Sequence, residues 1–227
     1  MNNEYIFIKM IIADSSAIIS LAMNCMSSIM NELDIDIVVT DSVYEEIVTY
    51  PMNTKRYALE SMRIKKLFSD GIVTIKNPSN DLTDKILNNS NSIFQINGRS
   101  LKILHEAEAE ALALAKELNA DAFLIDERTT RLLLENPNDL KELLSYRNQK
   151  NIAINYKELE SLRRLVPKIP IIRSTEVAAI AYEKGIITKN IGMTGTHVLE
   201  AVLCALKFSG CAISWDEINE YKRIISE

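Results

Sequence analysis

Two aspartates stand where a reaction centre is most easily built. Asp14 closes the apolar run IFIKMIIAD (residues 6–14) and is followed by two serines; Asp126 lies near the end of DAFLIDE (121–127). A carboxylate at the end of an apolar strand is costly unless it is paired, hydrogen-bonded or bound to a metal. Either aspartate alone also suits a helix N-cap. Two at equivalent strand ends suggest a shared role, because ligands in open parallel sheets bind beyond the carboxyl ends of the strands. On a wheel of about 100° per residue, Glu108 falls among Leu104, Ala111, Leu112 and Ala115, whereas Glu106, Glu110, Ala113 and Glu117 form a solvent face. Glu is seldom buried unpaired, so Glu108 needs a partner, a cation or an outlet to solvent. The helix expected after residue 40 carries Glu45 and Glu46. Ser42 and Glu45 have the spacing of a capping box, which leaves Glu46, beside Val43 and Ile47, for chemistry.

Four carboxylates, Asp14, Glu46, Glu108 and Asp126, cannot share a pocket at neutral pH without cations. An all-oxygen set suits Mg²⁺ or Mn²⁺. Such ions orient a water for in-line attack on a phosphodiester and stabilise the leaving oxygen. In this reading the four acids are at once the metal ligands and the catalytic residues. The sequence holds no competing site: His105 and His197 lack HExxH spacing, and no GxSxG, P-loop or GxGxxG run occurs.

Alternating strands and helices must position these acids. Apolar, β-branched runs at 6–14, 35–40, 71–76, 121–127 and 169–173 read as strands of a parallel sheet covered on both faces. Helices are expected from 16 to about 30, from 41 to Pro51, over 55–69 and 104–118, and from 128 to about 146 with a break at Asn136-Pro137. Three more follow: one capped by Ser174 and ending at Gly185, one over about 197–209, and one over 215–226 opened by a Ser214–Glu217 capping box. Residues 77–100 are polar and Asn-rich and read as a short helix with loops. The pattern is an α/β layered sheet with a helical C-terminal extension.

Composition narrows the class. The 227 residues are 47% hydrophobic and 25% charged, which excludes disordered and low-complexity chains. A net charge of −5 gives no global pull toward nucleic acid or anionic membrane. Three cysteines (Cys25, Cys204, Cys211) without a CxxC pair argue against a disulfide framework or a zinc site and for a reducing cytosol. No apolar run reaches the roughly 20 residues of a membrane span, and MNNEY carries no positive n-region. A soluble cytoplasmic protein without a membrane segment is expected.

The segments IIADSSAII (11–19), VTDSVYEEI (39–47), LHEAEAEALALAKEL (104–118) and FLIDERTTR (123–131) resemble the PIN domain in order, spacing and residue type. STEVAAIAYEKGII (174–187) and the helices after it resemble the C-terminal part of a larger prokaryotic PIN subgroup. The resemblance implies a three-layer α/β/α fold with a central parallel sheet, plus C-terminal helices, over one domain spanning 1–227. Residues 132–171 would then be an insertion, and 172–227 the last strand and C-terminal helices. It also implies a metal-dependent nuclease directed at single strands, usually a ribonuclease, with its acids at Asp14, Glu46, Glu108 and Asp126 and with Ser16 as the small polar companion of Asp14. Glu106 remains an alternative to Glu108 as the helix acid. His105 stands where the subgroup usually has Gly.

Single-stranded RNA is therefore the expected substrate. Between Lys141 and Arg173 eight Lys/Arg (Lys141, Arg147, Lys150, Lys157, Arg163, Arg164, Lys168, Arg173) face three Glu, a local net of +5. Arg163, Arg164 and Lys168 in that strip, with Tyr146 and Tyr156 between the charges, suit an RNA backbone, or form a solvated helical surface. Arg128 and Arg131, directly after Asp126, reach phosphate or neutralise the acids. The apolar residues Val198, Leu199, Val202, Leu203 and Leu206 offer a homodimer face or complete the core. An antitoxin protein is a further candidate partner, although the chain is longer than minimal toxin ribonucleases, and RNA maturation or turnover is equally open. The rival readings are an RNA-binding or scaffold protein that keeps the fold with a weak site, and a metal-dependent phosphatase.

Overall fold

A computed structural model describes residues 8–24 and 26–226. Residues 6 and 7 of the expected first strand, and Cys25, lie outside the described residues. The chain begins with β1 (Met10–Ala13), α1 (Ser15–Met23), α2 (Ser27–Glu32), β2 (Asp36–Val39) and α3 (Asp41–Tyr44). A π turn (Glu45–Thr49) leads into α4 (Tyr50–Met52), α5 (Ala58–Ser69) and β3 (Val73–Ile75). Next come α6 (Asn80–Ile93), β4 (Phe94–Ile96), β5 (Arg99–Ser100), α7 (Glu106–Glu117) and β6 (Ala122–Leu124). They are followed by α8 (Arg128–Glu135), α9 (Pro137–Asn148), β7 (Ala153–Ile154), α10 (Tyr156–Leu165) and β8 (Ile171–Ile172). The last four helices are α11 (Ser174–Glu183), α12 (Ile186–Ile191), α13 (Thr196–Phe208) and α14 (Trp215–Ser226).

Five parallel strands form the central sheet in the order β3-β2-β1-β6-β8. Strand order reverses between β1 and β6, so the crevice beyond their carboxyl ends is the place where such sheets bind ligands. The Asp14 N–H donates to Leu124 O (2.9 Å) and carries the ladder one residue past β1, holding Asp14 against β6. Successive strand residues point to opposite faces. Ile11, Ala13, Val39 and Leu124 pack with Ile18 and Leu21 of α1, Ile64 of α5, Ala178 of α11 and Leu206 of α13. Ile12, Val38, Phe123 and Ile125 pack with α6 to α10 on the other side. The result is the expected three-layer α/β/α architecture, with both sheet faces buried. Each wholly buried residue such as Ile12 or Phe123 contributes roughly 1.5–3 kcal/mol.

Several elements differ from the sequence expectation. Residues 77–100 hold a fourteen-residue helix, α6, and the β4–β5 hairpin. Thr83, Ile86, Ser90 and Ile93 are its buried positions, at helical spacing. The hairpin turns on Asn97-Gly98, both with positive φ (50° and 75°), the pairing that two-residue hairpins favour. With α6 laid outside α7, Ala113 is fully buried and not solvent-facing as the wheel placed it. The helix expected over 16–30 is two, α1 and α2, broken near Asn24.

The segment 132–171 is built into the sheet's second core: Leu140, Leu144, Leu159 and Leu162 join Ile12 and Phe123 there, and β7 pairs with β4. At the C-terminus Val198, Leu199, Val202, Leu203 and Leu206 are all buried and complete the core, so they offer no dimer face. The Ser214–Glu217 capping box forms as expected, with Ser214 N–H donating to Glu217 (2.7 Å) and Glu217 N–H to Ser214 Oγ (3.1 Å).

Candidate functional site

Asp14 is 3% exposed and caps α1, its Oδ2 accepting from Ser16 N (3.1 Å) and Ser16 Oγ (2.7 Å). Burial pushes its carboxyl above the usual range, the Ser16 hydrogen bonds work against that, and the nearby charge of Glu46 adds to it. Glu46 is exposed in the π turn, a helix irregularity often found at functional sites. The cap of this helix is Thr40, whose Oγ1 accepts from Val43 N (3.3 Å), and not Ser42; Glu45 accepts from the Tyr50 hydroxyl (3.1 Å) instead of closing a capping box. β2 carries the chain directly to Thr40, so the helix starts two residues earlier than the Ser42 spacing implied.

Glu108 lies in the first turn of α7. One oxygen accepts the His105 N–H (2.6 Å) and the other the Thr130 hydroxyl (2.8 Å). Burial raises its carboxyl to about 7; the His105 and Thr130 hydrogen bonds oppose this, while the charges of Asp14 and Glu127 add to it. Asp14 is thus electrostatically joined to both Glu46 and Glu108. Glu106 is exposed at the helix start, which favours Glu108 as the acid that faces the crevice. The approach to α7 is held by Asn91, whose Oδ1 accepts from Ile103 N (2.6 Å) and Leu104 N (2.9 Å).

Asp126 is wholly buried and turned differently. Its Oδ1 accepts from Ser174 N (2.7 Å) and its Oδ2 from Ser174 Oγ (2.6 Å), so its carboxylate fastens the start of α11. Ser174 is therefore a donor to Asp126, and Arg173 takes the cap position expected of Ser174. The Asp126 N–H donates to Ser16 Oγ (3.1 Å), which itself donates to Asp14. Ser16 thereby links the two strand ends. Burial, with the Asp126 charge beside it, pushes the Cys211 thiol up to about 12, so that sulfur stays protonated at neutral pH.

The structure sets Asp14 within electrostatic reach of Glu46 on one side and of Glu108 on the other, and fastens the Asp126 carboxylate to the start of α11. Among the described residues no three His, Cys, Asp or Glu form a ready-made metal cage. The donor chemistry nonetheless fits a hard divalent ion: Asp14 and Glu108, whose proton affinity is raised by burial and by neighbouring acids, gain from a cation between them.

The basic residues divide. Arg128 is exposed and Arg131 half-buried, both on α8 immediately after Asp126. Arg163, Arg164 and Lys168 line a cleft of about 1010 Å³ with Lys116, over a floor that includes Leu112, Phe123 and Ile171. Lys116 lies eight residues beyond Glu108, about 12 Å along α7 at 1.5 Å per residue, where the chain turns into the amino end of β6. The cleft is thus at the opposite end of the sheet from the acids and not beside them, because α7 runs antiparallel to the strands. Arg173 is buried and bound to Glu176 (2.6 Å), Glu217 (2.8 Å) and Ala212 O (3.0 Å), which removes it from the expected RNA strip.

Four neighbours escaped sequence reasoning. Glu127 caps α8 by accepting from Thr130 N (2.7 Å), and its Glu-x-x-Thr spacing is the one signal that was present. Thr130, Ser174 and Arg173 each make a contact distant in sequence, to Glu108, Asp126 and Glu217, that no local pattern marks.

A PIN-domain family model matches residues 10–138, more than half of the 227-residue chain and a span containing all four acids. The chain belongs to the PIN-domain family, whose members are generally nucleases that typically use divalent metal ions. No curated protein matches the chain. No helix among the described residues is long and apolar enough to cross a membrane.

Proposed function

We propose that the protein is a divalent-metal-dependent endoribonuclease acting on single-stranded RNA in the cytoplasm, with Mg²⁺ or Mn²⁺ held by Asp14, Glu46 and Glu108. The observation that carries this reading is the buried Asp14 carboxylate at the β1/β6 crevice, coupled to Glu46 and to Glu108, the latter lifted to about 7. When bound, the ion supplies charge neutralisation and an activated water for attack on phosphorus.

The protein's own residues have distinct tasks. Ser16 fixes the Asp14 carboxylate through Oδ2. The His105 N–H and Thr130 hydroxyl orient Glu108. Asp126, expected as a fourth ligand, takes a positioning role: its N–H holds Ser16 and its carboxylate anchors α11. Glu46, exposed and unencumbered by the core, closes the cluster from the π turn. Arg128 and Arg131 stand where the scissile backbone would pass.

The binding-protein reading draws support from one observation, the engagement of both Asp126 oxygens by Ser174. Incubation of an end-labelled single-stranded RNA with wild type and Asp14→Asn, in Mn²⁺ and in EDTA, separates the two. Cutting that needs metal and is lost in Asp14→Asn supports the nuclease. Tight RNA binding without cutting supports the rival, and hydrolysis of a small phosphomonoester alone would indicate a phosphatase.

A further inference from the structure

The C-terminal extension, outside the residues matched by the family model, places an aromatic pair next to the candidate site. Phe208 ends α13 and is 79% exposed; Trp215 opens α14 and is 53% exposed. Their rings meet edge-on, with centroids 6.1 Å apart, and the Lys207 ammonium sits 5.1 Å from the Trp215 ring centroid while donating to Ile213 O. Large exposed aromatics are costly on a surface with no ligand to cover them.

The pair adjoins a cavity of about 490 Å³ lined by Arg128, Arg131, Lys207, Phe208, Cys211 and Glu217. The loop that carries it is fastened to the site, since Ala212 N–H donates to Asp126 O (3.4 Å) and Ala212 O accepts from Arg173 (3.0 Å). Glu217, the one acid in this lining, is held by Arg173 (2.8 Å) and Ser214 N (2.7 Å), which leaves the cavity's own charge positive. Arg131 is only partly satisfied: Nη1 reaches Glu135 (3.2 Å), whereas Nε is buried without a hydrogen-bond partner among the described residues.

Cations beside accessible aromatic rings are what a single nucleic-acid strand requires. Its phosphates take the positive charge, and its unpaired bases offer π-faces for stacking without regard to sequence. We propose that this cavity is a single-stranded RNA subsite flanking the cut, in which Arg128 and Arg131 take a backbone phosphate and Phe208 and Trp215 stack bases. The proposal rests on the nuclease reading of the adjoining acids. Duplex RNA is excluded from the platform because its bases are already stacked and paired.

Trp215 is the only tryptophan in the chain, so its fluorescence reports on the subsite directly. The full chain in EDTA is titrated with a 5′-labelled single strand of about a dozen nucleotides, spanning several stacked bases, while label anisotropy and tryptophan emission are followed together. Binding should quench Trp215, a duplex of the same sequence should not, and Phe208→Ala should weaken binding about five- to 150-fold. Phe208 is largely exposed, and an unchanged unfolding temperature verifies that the variant is folded. Arg131→Gln provides a second, non-aromatic test and should weaken binding and flatten its salt dependence.

Anisotropy-detected binding with silent Trp215 and an unaffected Phe208→Ala overturns the platform while leaving the nuclease intact. Failure of wild type to bind any single strand in EDTA overturns the platform, whereas the nuclease reading stands or falls separately on cutting in Mn²⁺. A Phe208→Ala variant that changes only the sedimentation of the protein overturns the proposal in favour of contact between two copies of the chain.

Discussion

Replacing Glu108 by Gln should change stability in opposite directions at the two ends of the pH range. In the metal-free protein burial raises the Glu108 carboxyl from 4.5 to about 7, with Asp14 and Glu127 adding to the shift. The folded state then holds a proton that the unfolded chain has released, so this contribution to stability is fully present below pH 4.5 and is lost as pH rises through 7. At about 1.4 kcal/mol per pH unit, the loss by pH 8 is about 3 kcal/mol. Gln carries no charge to desolvate and avoids this loss. It can still accept the Thr130 hydroxyl, but its amide nitrogen cannot accept the His105 N–H, which costs about 1 kcal/mol at every pH. In EDTA, Glu108→Gln should therefore be about 1 kcal/mol less stable than wild type at pH 4 and about 2 kcal/mol more stable at pH 8. Urea unfolding at the two pH values measures this swing of about 3 kcal/mol. A difference between the proteins that does not vary with pH would refute the placement of Glu108 in a buried acidic cluster.

Other substitutions probe the supports of the site. Asp126→Ala removes the acceptor of two buried Ser174 donors and should lower stability by about 2–4 kcal/mol in urea unfolding, at about 1–2 kcal/mol per orphaned donor. Arg173→Ala leaves half-buried Glu176 beside Tyr221 without its cation and should cost about 2–3 kcal/mol, the scale of losing hydrogen bonds to a charged group, read as a drop in unfolding temperature. Burial works to raise Glu217, but the Ser214 N–H and Arg173 hold it at about 2. The stability this supplies is present above 4.5 and is lost as pH falls through 2, so the acid limb of the wild-type curve should flatten in Arg173→Ala. Ile86→Ala should cost about 2–5 kcal/mol if α6 covers α7 as described; an exposed residue at that position would cost little.

The strands and the acids were legible because their signals are local. Apolar β-branched runs ending in Asp14 and Asp126 mark both the central sheet and its carboxyl edge, and the position of Glu108 on an apolar stripe marked it as unusual. α6 was harder to see, since two of its four buried positions are Thr83 and Ser90 and its composition is Asn-rich. The orientation of Asp126 was not legible at all. It depends on Ser174, 48 residues away, whose hydroxyl reads equally well as a helix cap. For the same reason the sequence could not place the basic strip relative to the acids; the path of α7 puts Arg163, Arg164 and Lys168 at the far end of the sheet.

The most direct test of the account is single-turnover cleavage of a single-stranded RNA by Glu46→Gln across a Mn²⁺ titration. Glu46 is exposed and outside the core, so its loss reports on chemistry and not on folding. If Glu46 helps to hold the ion, the folded variant cuts about a hundredfold or more slowly, the scale of losing a group that stabilises transition-state charge, with the remainder shifted to higher Mn²⁺. Cleavage at the wild-type rate and the wild-type metal dependence would contradict the account.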